Sequence, residues 1–232
     1  MNTPLYVSTL RQLFSQPVRT GALIGATILP LLQIAVDPDP HLATTMGAMW
    51  IAVIASAGII GMEITSGSVA LFFTRPLTRA AYLASRWSAA ATISLALMFA
   101  GLAGEVAMLT ARDGEMTRTA FALALADRFF IVTGTVSVMV CFSTLASSLG
   151  DVVIWLSIQI VAFSLGAVPM ASFHDAADLL RRIATPMLDV HRVLASSRVP
   201  WSEVSGYAGT VLMAAAIATF VMNRKELSYA SE

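Results

Sequence analysis

The feature that most restricts this chain is the length of its uncharged runs. Residues 20–36, 42–62, 87–104, 129–150, 152–173 and 204–223 contain no Asp, Glu, Lys or Arg. Crossing about 30 Å of hydrocarbon takes roughly 17–25 residues of helix, and each window reaches that length. Lipid offers backbone groups no partners, so a spanning segment is a helix or a strand of a closed barrel. These runs lack period-two alternation and are too long for barrel strands. The expected fold class is an all-α integral membrane protein of one domain, residues 1–232. Its six transmembrane helices should run over 20–36, 42–62, 87–109, 127–150, 152–173 and 204–223. Pro30 and Pro169 fall inside two of these and should kink or end a helix locally.

Composition agrees. The chain is 57% hydrophobic and 12% charged, with a mean hydropathy of +0.77, whereas a soluble domain is about a quarter charged. A formal net charge of zero leaves no electrostatic footprint for nucleic acid or an acidic partner. The single cysteine, Cys141, excludes an internal disulfide framework and sits in an apolar run as a small hydrophobe. No cleavable signal peptide is expected, because the first long apolar run follows two arginines and leads straight to others.

The leader PLYVSTLRQLFSQPVR is amphipathic. Leu5, Tyr6, Leu10, Leu13 and Phe14 share one side of a helix, with Ser8, Arg11, Gln12 and Ser15 opposite. That pattern suits an interfacial helix with its apolar face in the membrane. Between spans five and six, residues 174–203 repeat apolar positions at Ala176, Leu179, Leu180 and Ile183. They do so again at Met187, Val190, His191 and Leu194, around a break at Pro186. Two short external amphipathic helices are expected there. Short polar links, DPDPH and ARDGEMTR, and a tight Ser148–Asp151 hairpin join the other spans.

Arginine and lysine counts do not orient the whole chain, since seven fall on each side. The early spans weigh most in insertion. Arg11, Arg19, Arg75, Arg79 and Arg86 all flank one side of them, and no basic residue lies in the first loop on the other. Both termini are therefore expected to be cytoplasmic.

In that topology the main cytoplasmic link is GMEITSGSVALFFTRPLTRAAYLASRW, residues 61–87. Glu63 ends span two, and Gly67 should let another backbone approach. Leu71, Phe72 and Phe73 should form an exposed apolar tip. Pro76 disfavours helix at Arg75 and suits the first turn of a new one. Tyr82, Arg86 and Trp87 should anchor span three at the interface. From the residues alone, a plain interfacial helix and a docking contact for a soluble partner both fit.

The pattern E-x-x-x-G-x-x-x-x-x-x-x-R-P-L-x-R-x-x-Y, from Glu63 through Gly67, Arg75, Pro76, Leu77 and Arg79 to Tyr82, resembles the type-2 ABC transporter permeases. The tail NRKELSYA, the amphipathic leader, six spans and the external helical segment are also similar to that family. The resemblance implies the membrane-spanning subunit of an ATP-driven transporter, an exporter by expectation, in the bacterial inner membrane. It implies a coupling helix between spans two and three, carried here by Glu63, Gly67, Leu71, Phe72, Phe73, Arg75, Pro76 and Arg79. It also implies two partners: a separate cytoplasmic P-loop ATPase, which would hold the ATP and Mg, and a second permease chain forming a dimer.

Other residues point elsewhere or nowhere. Glu105, near the outer end of span three, and Arg128, opening span four, can pair across an antiparallel hairpin. A structural ion pair and a substrate or gate role both remain open. His41, His174 and His191 lack metal-ligand spacing, and twelve methionines scatter through the chain as core filler. Gly58, Gly61, Gly101 and Gly104 permit close helix packing. No GxxxxGK[ST] occurs, so no cofactor is expected in this chain. An intramembrane hydrolase or transferase would need convergent nucleophile, base or metal groups that the sequence does not provide. A non-catalytic membrane scaffold is the remaining alternative.

Overall fold

The computed structural model describes residues 2–36, 40–74, 77–111, 116–195 and 200–225, without the side chains of 33–44, 191, 192 and 195. Arg75, Pro76, the tail beyond Lys225, parts of the two polar links and the side chains of His41 and His191 lie outside this set.

Helices follow one another in the order α1 (Thr3–Ser15), α2 (Pro17–Val36), α3 (Pro40–Ser56), α4 (Gly61–Thr65) and α5 (Ser68–Phe73). Next come α6 (Arg79–Thr110), α7 (Arg118–Leu145), α8 (Gly150–Gly166), α9 (Ala171–Ala184), α10 (Val190–Ala195) and α11 (Trp201–Arg224). No strand occurs among the described residues. Side-chain caps set several starts. Asn2 Oδ1 accepts from Leu5 N at 3.1 Å, Thr78 Oγ1 from Ala81 N at 3.2 Å and Thr117 Oγ1 from Ala120 N at 3.2 Å.

Four segments are long and apolar enough to cross a membrane: Thr45–Thr65, Arg79–Thr110, Arg118–Leu145 and Trp201–Arg224. They correspond to the expected spans two, three, four and six. At the expected span five the helix is apolar but shorter, Gly150–Gly166, and at the expected span one α2 is apolar over Pro17–Leu32, as far as its side chains are described. At 1.5 Å per residue, the 17 residues of α8 extend about 25 Å. The expected span 152–173 therefore stops at Gly166, and the chain turns back.

α7 is the hub, with α3, α6, α8 and α11 all packed against it. Its buried stretch from Ile131 to Thr144 meets small and β-branched residues such as Ala52, Ala90, Ala214 and Ala218. α9 returns alongside α8. Trp155 Nε1 donates to the Ala184 carbonyl at 3.1 Å, and Gln159 Nε2 to Thr185 Oγ1 at 2.8 Å. Pro186 lies against Gly134, where a Cβ would come within 2.5 Å of the Pro186 carbonyl oxygen. Val190 N then donates to Asp127 Oδ1 at 2.9 Å. The segment 174–203 is helical over the end of α9 and over α10. The unwound turn around Pro186 is drawn in against the middle of α7, not laid on the outer surface.

α1 packs on the bundle through Leu5, Thr9 and Leu13, while Phe14 is 56% exposed. Thr9 has a buried polar partner in α6, Arg86.

Span two is broken. α3 ends at Ser56, Gly58 takes φ +62°, and α4 begins at Gly61. A Cβ on Gly61 would lie 2.5 Å from the Ser148 carbonyl oxygen and 2.9 Å from that of Ala146. Gly61→Ala should therefore destabilise the fold by about 1–3 kcal/mol, the usual cost of forcing atoms into a filled site. Gly101→Ala, whose methyl would meet nothing nearer than 3.9 Å, should be neutral or slightly stabilising. Thermal unfolding in detergent followed by size exclusion checks this, and equal shifts for the two would exclude the close contact as the cause.

Candidate functional site

The turn from span two into α6 is built on a buried carboxylate. Glu63 is 5% exposed, Arg86 1% and Tyr82 0%. Arg86 Nη2 donates to Glu63 Oε1 as an ion pair, and Tyr82 Oη donates to Glu63 Oε2. Both carboxylate oxygens are thus engaged. Tyr82 and Arg86 stand four residues apart, on one face of α6. The second Arg86 nitrogen, Nη1, reaches α1, donating to Thr9 Oγ1 at 2.6 Å and Gln12 Oε1 at 3.4 Å. Asn2 N donates to Ser85 Oγ at 2.9 Å beside it. One guanidinium therefore ties α1, α4 and α6 together.

α5 closes the cluster. The Phe72 and Phe73 rings lie 5.9 Å and 5.6 Å from the Tyr82 ring. The Arg86 guanidinium stands 5.4 Å from the Phe72 centroid, within cation–π range. The expected three-residue apolar tip is therefore reduced to Leu71, which is 70% exposed. Phe72 and Phe73 turn inward and pack on the core, because they cover the rings and charges of the pair. Arg79 lies 5.7 Å over Phe73 and donates to the Met222 carbonyl near the end of α11.

Gly67 takes φ +71° as the residue that starts α5, and a Cβ there would meet nothing within 4 Å. Its need is conformational, not the close backbone approach expected for it. Arg75 and Pro76 lie outside the described residues. Tyr82 and Arg86 are not surface anchors, and Trp87 directs its Nε1 to Ser137 Oγ at 2.9 Å.

Arg128 Nη2 and Glu105 Oε2 meet at 2.6 Å, with side-chain exposures of 3% and 0%. Glu105 lies 19 residues beyond Arg86 on the same helix, about 28 Å along its axis. α6 thus carries one buried ion pair near each end, at a separation close to the hydrocarbon thickness.

A third polar junction was not legible as a site in the sequence. At the break in span two, Asp151 Oδ2 accepts from Gly58 N at 2.6 Å. Ser143 Oγ accepts from Ile60 N at 3.0 Å and Gly61 N at 2.9 Å. Arg19 donates to the Ala57 carbonyl. Thr65 Oγ1, at the far end of α4, accepts from Ser148 N at 3.1 Å. Backbone freed by the break is thus satisfied by the α7–α8 turn and by α2, as buried peptide groups require. The available signal was Asp151, a carboxylate with an apolar window on either side.

Among the described residues no group of three or more His, Cys, Asp or Glu side chains comes together to hold a metal. The site fastens helices together: Glu63 ties α4 to α6, Arg86 carries the tie on to α1, and Gly61 and Thr65 tie α4 to α7 and the turn after it. Comparison with protein-family models, with characterised proteins and with solved structures finds no match to this chain.

Removing one member of a buried ion pair leaves a charge without compensation and costs about 3–5 kcal/mol. Glu63→Gln and Arg86→Gln should each sharply lower the yield of folded protein, and the double variant should recover part of the loss. Glu105→Gln and Arg128→Gln should behave the same way. Because the two pairs lie far apart, losses taken one from each should add. Yield of monodisperse protein in detergent reads both cycles. Single variants at Glu105 or Arg128 that fold normally would instead assign that pair a role other than holding the fold.

Proposed function

We propose that this chain is the membrane-spanning permease subunit of an ATP-driven transporter, with the α4–α5 elbow as its contact for a separate cytoplasmic P-loop ATPase. The observation that carries the reading is the elbow's construction. Leu71 stands exposed at its tip, and its base is joined through Glu63, Tyr82 and Arg86 to two further helices. A partner pressing on such an elbow would move α1, α4 and α6 together, which a plain interfacial helix would have no reason to do. The sequence resemblance of Glu63 to Tyr82 to a coupling segment supports the same reading.

On this reading α2 and α8 complete six spans, both termini are cytoplasmic, and a second identical or similar chain completes the transport path. ATP and Mg belong to the ATPase. Its binding and hydrolysis of ATP would bias the bundle between inward- and outward-open states by differential contact with the elbow.

Leu71→Asp tests the contact. Leu71 is outside the core, so the variant should fold as the wild type does. Loss of a hot-spot contact costs about 2 kcal/mol or more, so capture of the partner P-loop ATPase should fall about thirtyfold in a nanodisc pull-down. Unchanged capture and unchanged transport would leave an interfacial helix on a membrane scaffold.

Orientation has its own test. In a Cys141→Ala background, a cysteine at Asp178 should react with an impermeant thiol reagent added outside, and one at Arg75 should be protected. The reverse pattern would overturn the placement of the elbow in the cytoplasm.

A further inference from the structure

Between α6, α7 and α11 the bundle leaves an open groove of about 270 Å³, near the low end of small-molecule pockets, roughly 300–1,000 Å³. Its walls include Ala80, Ala84 and Trp87 on α6, Val140 on α7, and Ala215 and Thr219 on α11. It extends from Ala80 to Trp87 along one wall and from Val211 to Thr219 along the other, about 10–12 Å. That is most of the acyl-chain depth of one leaflet, half of about 30 Å. The polar groups along it are already committed. The Trp87 indole donates to Ser137, and the Thr219 hydroxyl donates to the Ala215 carbonyl at 2.8 Å. An apolar groove without free polar groups holds water poorly and suits hydrocarbon.

One end of this groove is cationic. Arg79 adjoins Ala80 and crosses to α11 through the Met222 carbonyl. Lys225 follows α11 two turns beyond Ala218 and on the same face of the helix, whereas Arg224, stacked over the exposed ring of Phe220, points to the opposite face. The carboxylates described at this end of the bundle, Glu63 and Asp151, are buried and hydrogen-bonded within the protein. An apolar slot most of one leaflet deep that ends in two cations, Arg79 and Lys225, matches a ligand with a hydrocarbon tail and an anionic head.

We infer that this groove seats one acyl chain of an anionic glycerophospholipid, with the phosphate held at Arg79 and Lys225. The site rests on the chain lying in a bilayer and not on the ATPase contact, since its residues are distinct from Leu71.

Native mass spectrometry of the detergent-purified protein tests the site, with phosphatidylglycerol and phosphatidylcholine of identical chains added separately. Phosphatidylglycerol should be retained about tenfold more than phosphatidylcholine, and Ala215→Phe, which fills the groove, should abolish the difference. Lys225→Gln should remove most of the preference, since a basic residue near a charged head contributes about fivefold. Should the groove-filling variant fail to fold, a photoactivatable phosphatidylglycerol on the wild-type protein still decides. Cross-links should map to 80–87 and 211–219. Equal retention of the two lipids, retention unchanged by both variants, or cross-links spread evenly over the outer helices would overturn the site. So would a fall in oligomer mass in Ala215→Phe with lipid retention intact, which would make the groove a subunit interface.

Discussion

A guanidinium removed from water must receive its partners from the protein, and much of this architecture follows from supplying them to Arg86. The isolated charge would be costly to bury. Glu63 neutralises it, Tyr82 occupies the remaining carboxylate oxygen, and Thr9 and Gln12 accept from the other side. Each partner comes with its helix. α1 lies where Thr9 can reach, α4 where Glu63 can reach, and α5 folds Phe72 over the result. Buried ion pairs often add little net stability compared with apolar replacements. Their value lies in fixing which arrangement forms, because a helix rotated by one position leaves a charge unpaired.

The same constraint operates on backbone at Ala57–Ile60. A helix interrupted within a bilayer is tolerable only when neighbouring protein satisfies the freed groups. Asp151 and Ser143 do this from α7 and α8, at a position where Gly61 admits the Ser148 carbonyl closely. Asp151 and Ser143 thus serve the break in the helix, whereas Glu105 and Arg128, within continuous helices, serve each other.

How much of this the sequence could reveal depended on whether the physics was local. Uncharged runs gave the four long apolar segments directly, since length and composition decide that question. Glu105 and Arg128 were legible as neighbours because opposite charges at adjacent helix ends have few other places to go. The same reasoning applied to Glu63 and Arg86 would have found the larger cluster. There, the aromatic and basic character of Tyr82, Arg86 and Trp87 matched a membrane-surface pattern, and that match concealed a burial decided by tertiary contacts. Phe72 and Phe73 were misplaced for the same reason, since an apolar tip and an apolar lid have the same composition. Gly58 could not be distinguished from a packing glycine, because its positive φ follows from a partner 93 positions along the chain. Proline signals were local but incomplete: Pro30 sits within α2, whereas Pro186 marks a break whose inward placement depends on Gly134.

α4 has five residues and engages both halves of the bundle. Glu63 holds α6 and α1, while Gly61 and Thr65 hold the turn between α7 and α8. A helix this short stores no stability of its own, so its position is set by those attachments. It therefore cannot shift without loosening one of them or carrying its neighbours along. Loosening the Glu63 side would expose a buried ion pair, while loosening the other would free the amides of Gly58, Ile60 and Gly61. Both are costly, so the least expensive response to a push on α5 is a concerted movement of the parts of α1, α6, α7 and α8 nearest α4. On the proposed reading, this is how force applied at Leu71 would reach helices that Leu71 does not touch.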